Sequence, residues 1–86
     1  MPSRTVIVGS AIGLHARPAA LIAEAAEKYD DEVTLAVKGE EPVDAASALM
    51  IMTLGAENGA EVTVASDNAE ALAEIAAMVE QDLDAE

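Results

Sequence analysis

The sequence predicts a small two-layer α+β domain, with four short strands on one side and amphipathic helices on the other. Three observations lead there. Val33, Leu35 and Val37 alternate strictly with polar or small residues, the mark of a half-buried strand, and β-branched runs at residues 4–8 and 61–65 supply two more. Leu72, Ile75, Ala76, Val79 and Leu83 recur at helical spacing near the C-terminus. With 86 residues, 52% of them apolar, the chain fills one core and has no material for a second, so residues 1–86 are expected to form a single domain with the last three as a loose tail. At this size about 63% of the unfolded surface is buried on folding, which suits two layers but not a deep enclosed active site.

Each element has its own local reason. Arg4-Thr5-Val6-Ile7-Val8 is stopped by Gly9-Ser10 and reads as the first strand. Gly13-Leu14-His15 leads into a helix over residues 16–28. Pro18 is tolerated only in a first turn, so it pins the helix start close to His15. Glu24 and Lys28 form an i, i+4 pair near its end. Asp30-Asp31 turns the chain into the second strand, residues 32–38, and Gly39-Glu40-Glu41-Pro42 turns it again into a short third strand at Val43-Asp44. Residues 47–54 form a short helix, capped by Ser47 and stopped by Gly55. The turn Asn58-Gly59 precedes the last strand, residues 61–65, and a final helix covers residues 69–83. Asp67 with Glu70 three residues later reads as its capping box. The order is β-α-β-β-α-β-α.

Composition removes whole classes of chemistry. The absence of Cys excludes disulfides, thiolate nucleophiles and Cys-ligated zinc, and a single His excludes a multi-histidine metal site. No apolar run approaches the ~18 residues of a membrane span, and no charged start with an apolar stretch behind it opens the chain; the expectation is a soluble cytoplasmic protein. A net charge of −13 makes nucleic acid and anionic membrane poor partners. The charge is unevenly spread, however. Residues 1–23 carry Arg4 and Arg17 and no acid, while all 17 acids follow from Glu24 onward. The only His lies in the acid-free stretch.

Three effects converge at that His. A helix start presents backbone N–H groups and partial positive charge, a ready seat for phosphate. The same positive potential favours the neutral imidazole, whose lone pair is a nucleophile. Arg17 adds a planar fork of donors suited to phosphoryl oxygens, and Gly13 permits a backbone conformation or approach closed to other residues. The ordinary alternative is a solvated bystander His. No Ser/His/Asp set, carboxylate pair or Walker-type loop accompanies it, so the pattern suggests a carrier whose partners supply the rest of the catalysis, not a stand-alone enzyme.

The string Gly13-Leu14-His15-Ala16-Arg17-Pro18-Ala19 resembles the HPr family, the phosphocarriers of the phosphoenolpyruvate-dependent sugar phosphotransferase system. Ser47-Ala48-Leu49-Met50-Ile51-Met52-Thr53-Leu54-Gly55 looks like that family's second block, and the resemblance covers nearly the whole chain in length, element order and motif position. It implies an open-faced β-sandwich, four antiparallel strands covered on one face by three helices. It implies that His15 takes phosphate on Nδ1 from enzyme I and passes it to sugar-specific IIA proteins, with Arg17 stabilising the phosphoryl group. A monomer without metal or organic cofactor is expected. Ser47 matches the regulatory serine, which implies a serine kinase and phosphatase as further partners. Two departures bear on that last role: Ala46 stands where the family often has a basic residue, and Met50 where it often has a small Gly.

The apolar residues of the short helix exceed what one buried face can hide, so some are expected on the surface. A docking face of Ala16, Ala20, Ala48, Leu49 and Met52 is the expectation. A second reading remains open, an interaction module of the same fold that binds without transferring phosphate. Incubation with enzyme I and phosphoenolpyruvate discriminates the two: a carrier gains one acid-labile phosphoryl group and a module gains none.

Overall fold

A computed structural model of the chain describes residues 2–10 and 13–81. The elements are β1 (Ser3–Ile7), α1 (Ala16–Glu27), β2 (Val33–Val37), β3 (Val43–Asp44), α2 (Ala48–Thr53), β4 (Glu61–Ser66) and α3 (Ala69–Glu80). The strands form one antiparallel sheet in the order β1-β4-β2-β3, with the last strand in sequence inserted between the first two. The three helices cover one face, and the fold is the open-faced β-sandwich.

The alternation of each strand decides which face is covered. Register aligns Val6 with Val62 and Val62 with Val37, and places Leu35 opposite Val64. These residues point toward the helices, where Leu35, Val62 and Val64 are fully buried with Ile22 of α1, Ile51 of α2 and Ile75 and Val79 of α3. The intervening residues form the open face. There Thr5 and Thr63 lie directly opposite each other, with their hydroxyl oxygens 3.0 Å apart. α1 packs against both other helices, α2 lies over β3, and α3 over β1 and β4.

Several boundaries move by a residue because tertiary contacts set them. β1 lies one residue earlier than the expected 4–8, β2 is shorter than the expected 32–38, and β4 runs one residue further, to Ser66. α1 ends at Glu27 with Lys28 as its cap. Lys28 does not close on Glu24; its Nζ reaches 3.2 Å from Glu74 Oε2 on α3, where Tyr29 also donates a hydrogen bond to Glu74 Oε1. The cap of α3 is Asn68, not Asp67: Asn68 Oδ1 accepts from the N–H groups of Glu70 at 2.9 Å and Ala71 at 3.2 Å, while Ser66 Oγ accepts from Asn68 N–H. Glu70 then stands in the first turn, where its charge complements the dipole. α3 stops at Glu80 because Gln81 turns extended (ψ 153). Leu83 and the expected tail fall outside the described residues.

The Tyr29–Glu74–Lys28 cluster joins the end of α1 to the middle of α3 and gives stability a pH dependence. The hydrogen bond from Tyr29, and next that from Lys28, hold the Glu74 carboxyl below its ordinary value of 4.5. A depressed carboxylate contributes stability above its unfolded value and loses it as pH falls through the folded one. In urea titrations, wild type should therefore exceed Glu74→Gln most at neutral pH. The gap should narrow as pH falls below 4.5. A pH-independent gap would contradict the assignment.

Candidate functional site

His15 is the N-cap of α1, with extended backbone (φ −91, ψ −163), and its carbonyl accepts the first helical bond from Ala19 N–H at 2.8 Å. Its side chain makes no capping bond, and the residue is exposed. The ring is therefore placed at the helix start without being used by it. Pro18 falls at the third helical position, inside the first turn, and is fully buried. Leu14 on the other side is 2% exposed. His15 thus stands between two anchored neighbours, with Ala16 and Arg17 exposed beside it.

The approach to His15 is held from across the molecule. Val8 N–H donates to Ala60 O at 2.9 Å, and Gly59 N–H donates back to Val8 O at 3.0 Å. Leu14 N–H donates to Ala56 O at 2.9 Å. Between these, the Asn58 side-chain amide faces the carbonyl oxygens of Val8 and Gly9 at 3.4 Å each and Ser10 at 3.1 Å. The segment that follows α2 therefore grips the segment that precedes α1. Two glycines make the fit possible. Gly9 hands its N–H to Val79 O at 3.0 Å, and a Cβ there would lie 1.8 Å from Glu80 O, so only glycine lets the last turn of α3 come this close. Gly13 has φ +79, and its Cβ would meet Ala56 O at 2.4 Å.

The same grip brings the end of α2 to the start of α1. Ser47 caps α2, its Oγ accepting from Met50 N–H at 3.3 Å, and Gly55 follows the helix end. Ile51 is fully buried, while Leu49, Met50 and Met52 are 69%, 42% and 38% exposed. Of the expected docking residues, Ala16, Ala20, Leu49 and Met52 are on the surface, and Ala48 is half-buried. Among the described residues, Glu57 is an acid whose place here the sequence order concealed. The backbone of Glu57 lies against Gly13, and its side chain is exposed. The role of Asn58 was also invisible, because Asn-Gly reads only as a turn signal.

Two hollows lie away from His15. A hollow of about 380 Å³ lies between the end of α1 and β2, and one of about 470 Å³ on the open sheet face; neither is lined by His15 or Arg17. No group of three or more His, Asp or Glu that could hold a metal occurs among the described residues, and none of their helices is long and apolar enough to cross a membrane.

A family model described as the PTS HPr component phosphorylation site matches residues 2–81. The phosphocarrier protein HPr of Streptomyces coelicolor is 48% identical over 67 residues, covering 78% of this chain and 72% of that protein. Among solved structures, HPr-C-His from Thermoanaerobacter tengcongensis superposes with a TM-score of 0.87 at 30% identity, over 100% of this chain and 99% of that one. The phosphocarrier HPr from Bacillus anthracis str. Ames gives 0.83 at 32% identity, over 91% and 95%.

Gly13→Ala should be costly for two reasons, a left-handed backbone and a side chain driven into Ala56 O. The backbone part alone costs about 1–2 kcal/mol. Urea unfolding should show at least that loss, and a loss below about 0.5 kcal/mol would mean that the two segments are not held as described.

Proposed function

The chain belongs to the HPr phosphocarrier family of the sugar phosphotransferase system, whose members interact with enzyme I and IIA proteins, and from that premise we propose that His15 is its phosphoryl acceptor. In this reading residues 1–86 act as one HPr domain in the cytoplasm, taking the group from phospho-enzyme I and delivering it to sugar-specific IIA proteins. The observation that carries it is the unused ring of His15 at the N-terminus of α1. The Nδ1 lone pair attacks phosphorus in line, the bond from phosphorus to enzyme I breaks, and its electron pair leaves with enzyme I. Charge spreads over three phosphoryl oxygens, and the helix start and Arg17 stabilise it. The reverse step, with His15 as leaving group, serves the acceptor. An exposed ring suits a group handed between two protein surfaces.

The exposed faces of Ala16, Ala20, Leu49 and Met52, with half-buried Ala48 between them, form the docking surface in this proposal. Methionine adapts to differently shaped partners, which a carrier with one donor and several acceptors requires. Ser47 stands at the rim of that surface. A phosphate there would be compatible with the helix cap but would have to be desolvated beside Leu49 on docking.

Incubation with enzyme I and phosphoenolpyruvate tests the proposal. Wild type should take up one acid-labile phosphoryl group, and His15→Ala should fold with little loss of stability yet take up none. Label retained by folded His15→Ala would refute the assignment. A charge-assisted bond to a phosphoryl oxygen is worth roughly 1.5–3 kcal/mol, so Arg17→Ala should slow transfer about ten- to a hundredfold. Transfer within about twofold of wild type would leave Arg17 as a surface charge. Titration calorimetry separates the roles of Ser47: Ser47→Asp should bind enzyme I several-fold more weakly, and Ser47→Ala almost normally. Equal affinities would reduce Ser47 to a helix cap.

A further inference from the structure

We propose that Asn58 is a positioning residue for phosphoryl transfer, fixing the loop that aims His15; the inference rests on His15 being the acceptor. Its side-chain nitrogen faces three successive carbonyl oxygens, those of Val8, Gly9 and Ser10, at 3.4, 3.4 and 3.1 Å. All three can only accept, so the amide has one workable orientation, nitrogen inward. The contact to Ser10 matters most. Ser10 O also accepts from Gly13 N–H at 3.0 Å, so a single carbonyl joins the Asn58 amide to the residue two positions before His15. From Gly13 the constraint runs through Leu14, itself bonded to Ala56 O, to the N-cap. Asn58 thus holds residues 8–10, and the Ala56 carbonyl holds Leu14.

Asn58 is exposed, so truncation opens no cavity, and the backbone bonds of Val8, Leu14 and Gly59 remain to preserve the fold. What it controls is the spread of positions available to the His15 ring. In-line attack depends steeply on such placement, and sub-ångström errors far from the reacting atom are felt in the rate. Asn58 is 48 to 50 residues away in sequence from the carbonyls it holds, so the effect is tertiary and not a property of the His15 motif.

Single-turnover transfer from phospho-enzyme I, measured across enzyme I concentrations, separates aim from docking. Asn58→Ala should lower the rate at saturation about three- to tenfold, the size of one or two lost hydrogen bonds, with the half-saturating concentration unchanged. Asn58→Asp keeps the size but sets an anionic acceptor against three carbonyls, and should be slower still. Asn58→Gln retains the donor and should recover much of the loss. If Asn58→Ala fails to fold, the Asp and Gln pair carries the same comparison. An unchanged saturated rate with a lowered melting temperature would overturn the proposal and leave Asn58 purely structural; a shift confined to half-saturation would make it a docking residue. Failure of wild type to accept any phosphate would instead refute the role of His15, and the inference with it.

Discussion

The site depends on one constraint, the mutual grip of residues 8–10 and 13–14 with residues 56–60. Val8 is bonded to Ala60 and Gly59, and Leu14 to Ala56, so the loop into α1 is zipped to the loop out of α2 at both ends. Without it, β1 and α1 would be joined by a free connection, and an exposed His at a helix start would sample many orientations. With it, His15 stands between held residues: Leu14 is buried on one side and Pro18 on the other. The same bonds bring α2, with its exposed Leu49, Met50 and Met52, to the end of the molecule where His15 lies. One set of backbone contacts therefore positions both the proposed phosphoryl acceptor and the surface proposed for docking.

Charge follows the same division. The chain carries −13 overall, yet the start of α1 holds only Arg17, and its first acid is Glu24. The opposite end of α1 is acidic and tied to α3 through Tyr29, Lys28 and Glu74. In the proposed transfer, a phosphoryl group arriving at His15 would meet the positive end of a helix and a guanidinium, with the first acid of α1 itself about two turns further along the helix. Glu57, by contrast, is placed beside Gly13 by the grip itself.

Much of this was legible in the residues. Alternation at Val33, Leu35 and Val37 marks the sheet face, Pro18 marks the helix start, and Ser47 and Gly55 bracket α2, because each of these signals is local. What stayed hidden is tertiary. Asn58-Gly59 announces a turn but not the carbonyls some fifty positions earlier that the amide reaches. Gly9 reads as a strand stop, although its necessity lies in Glu80 O pressing where a Cβ would be. Lys28 has a helical neighbour in Glu24 and bonds Glu74 instead, since α3 packs alongside. Asp67 and Asn68 are both good caps by type, and the path of the chain out of β4 selects Asn68.

Native-state hydrogen exchange tests most directly whether the grip is rigid. The amides of Val8, Leu14 and Gly59 donate across it and should exchange with one common opening free energy, close to that of the central strand β4. Rapid exchange of Leu14 and Gly59 while β4 stays protected would contradict the account, because the loop bearing His15 would then open independently of the core.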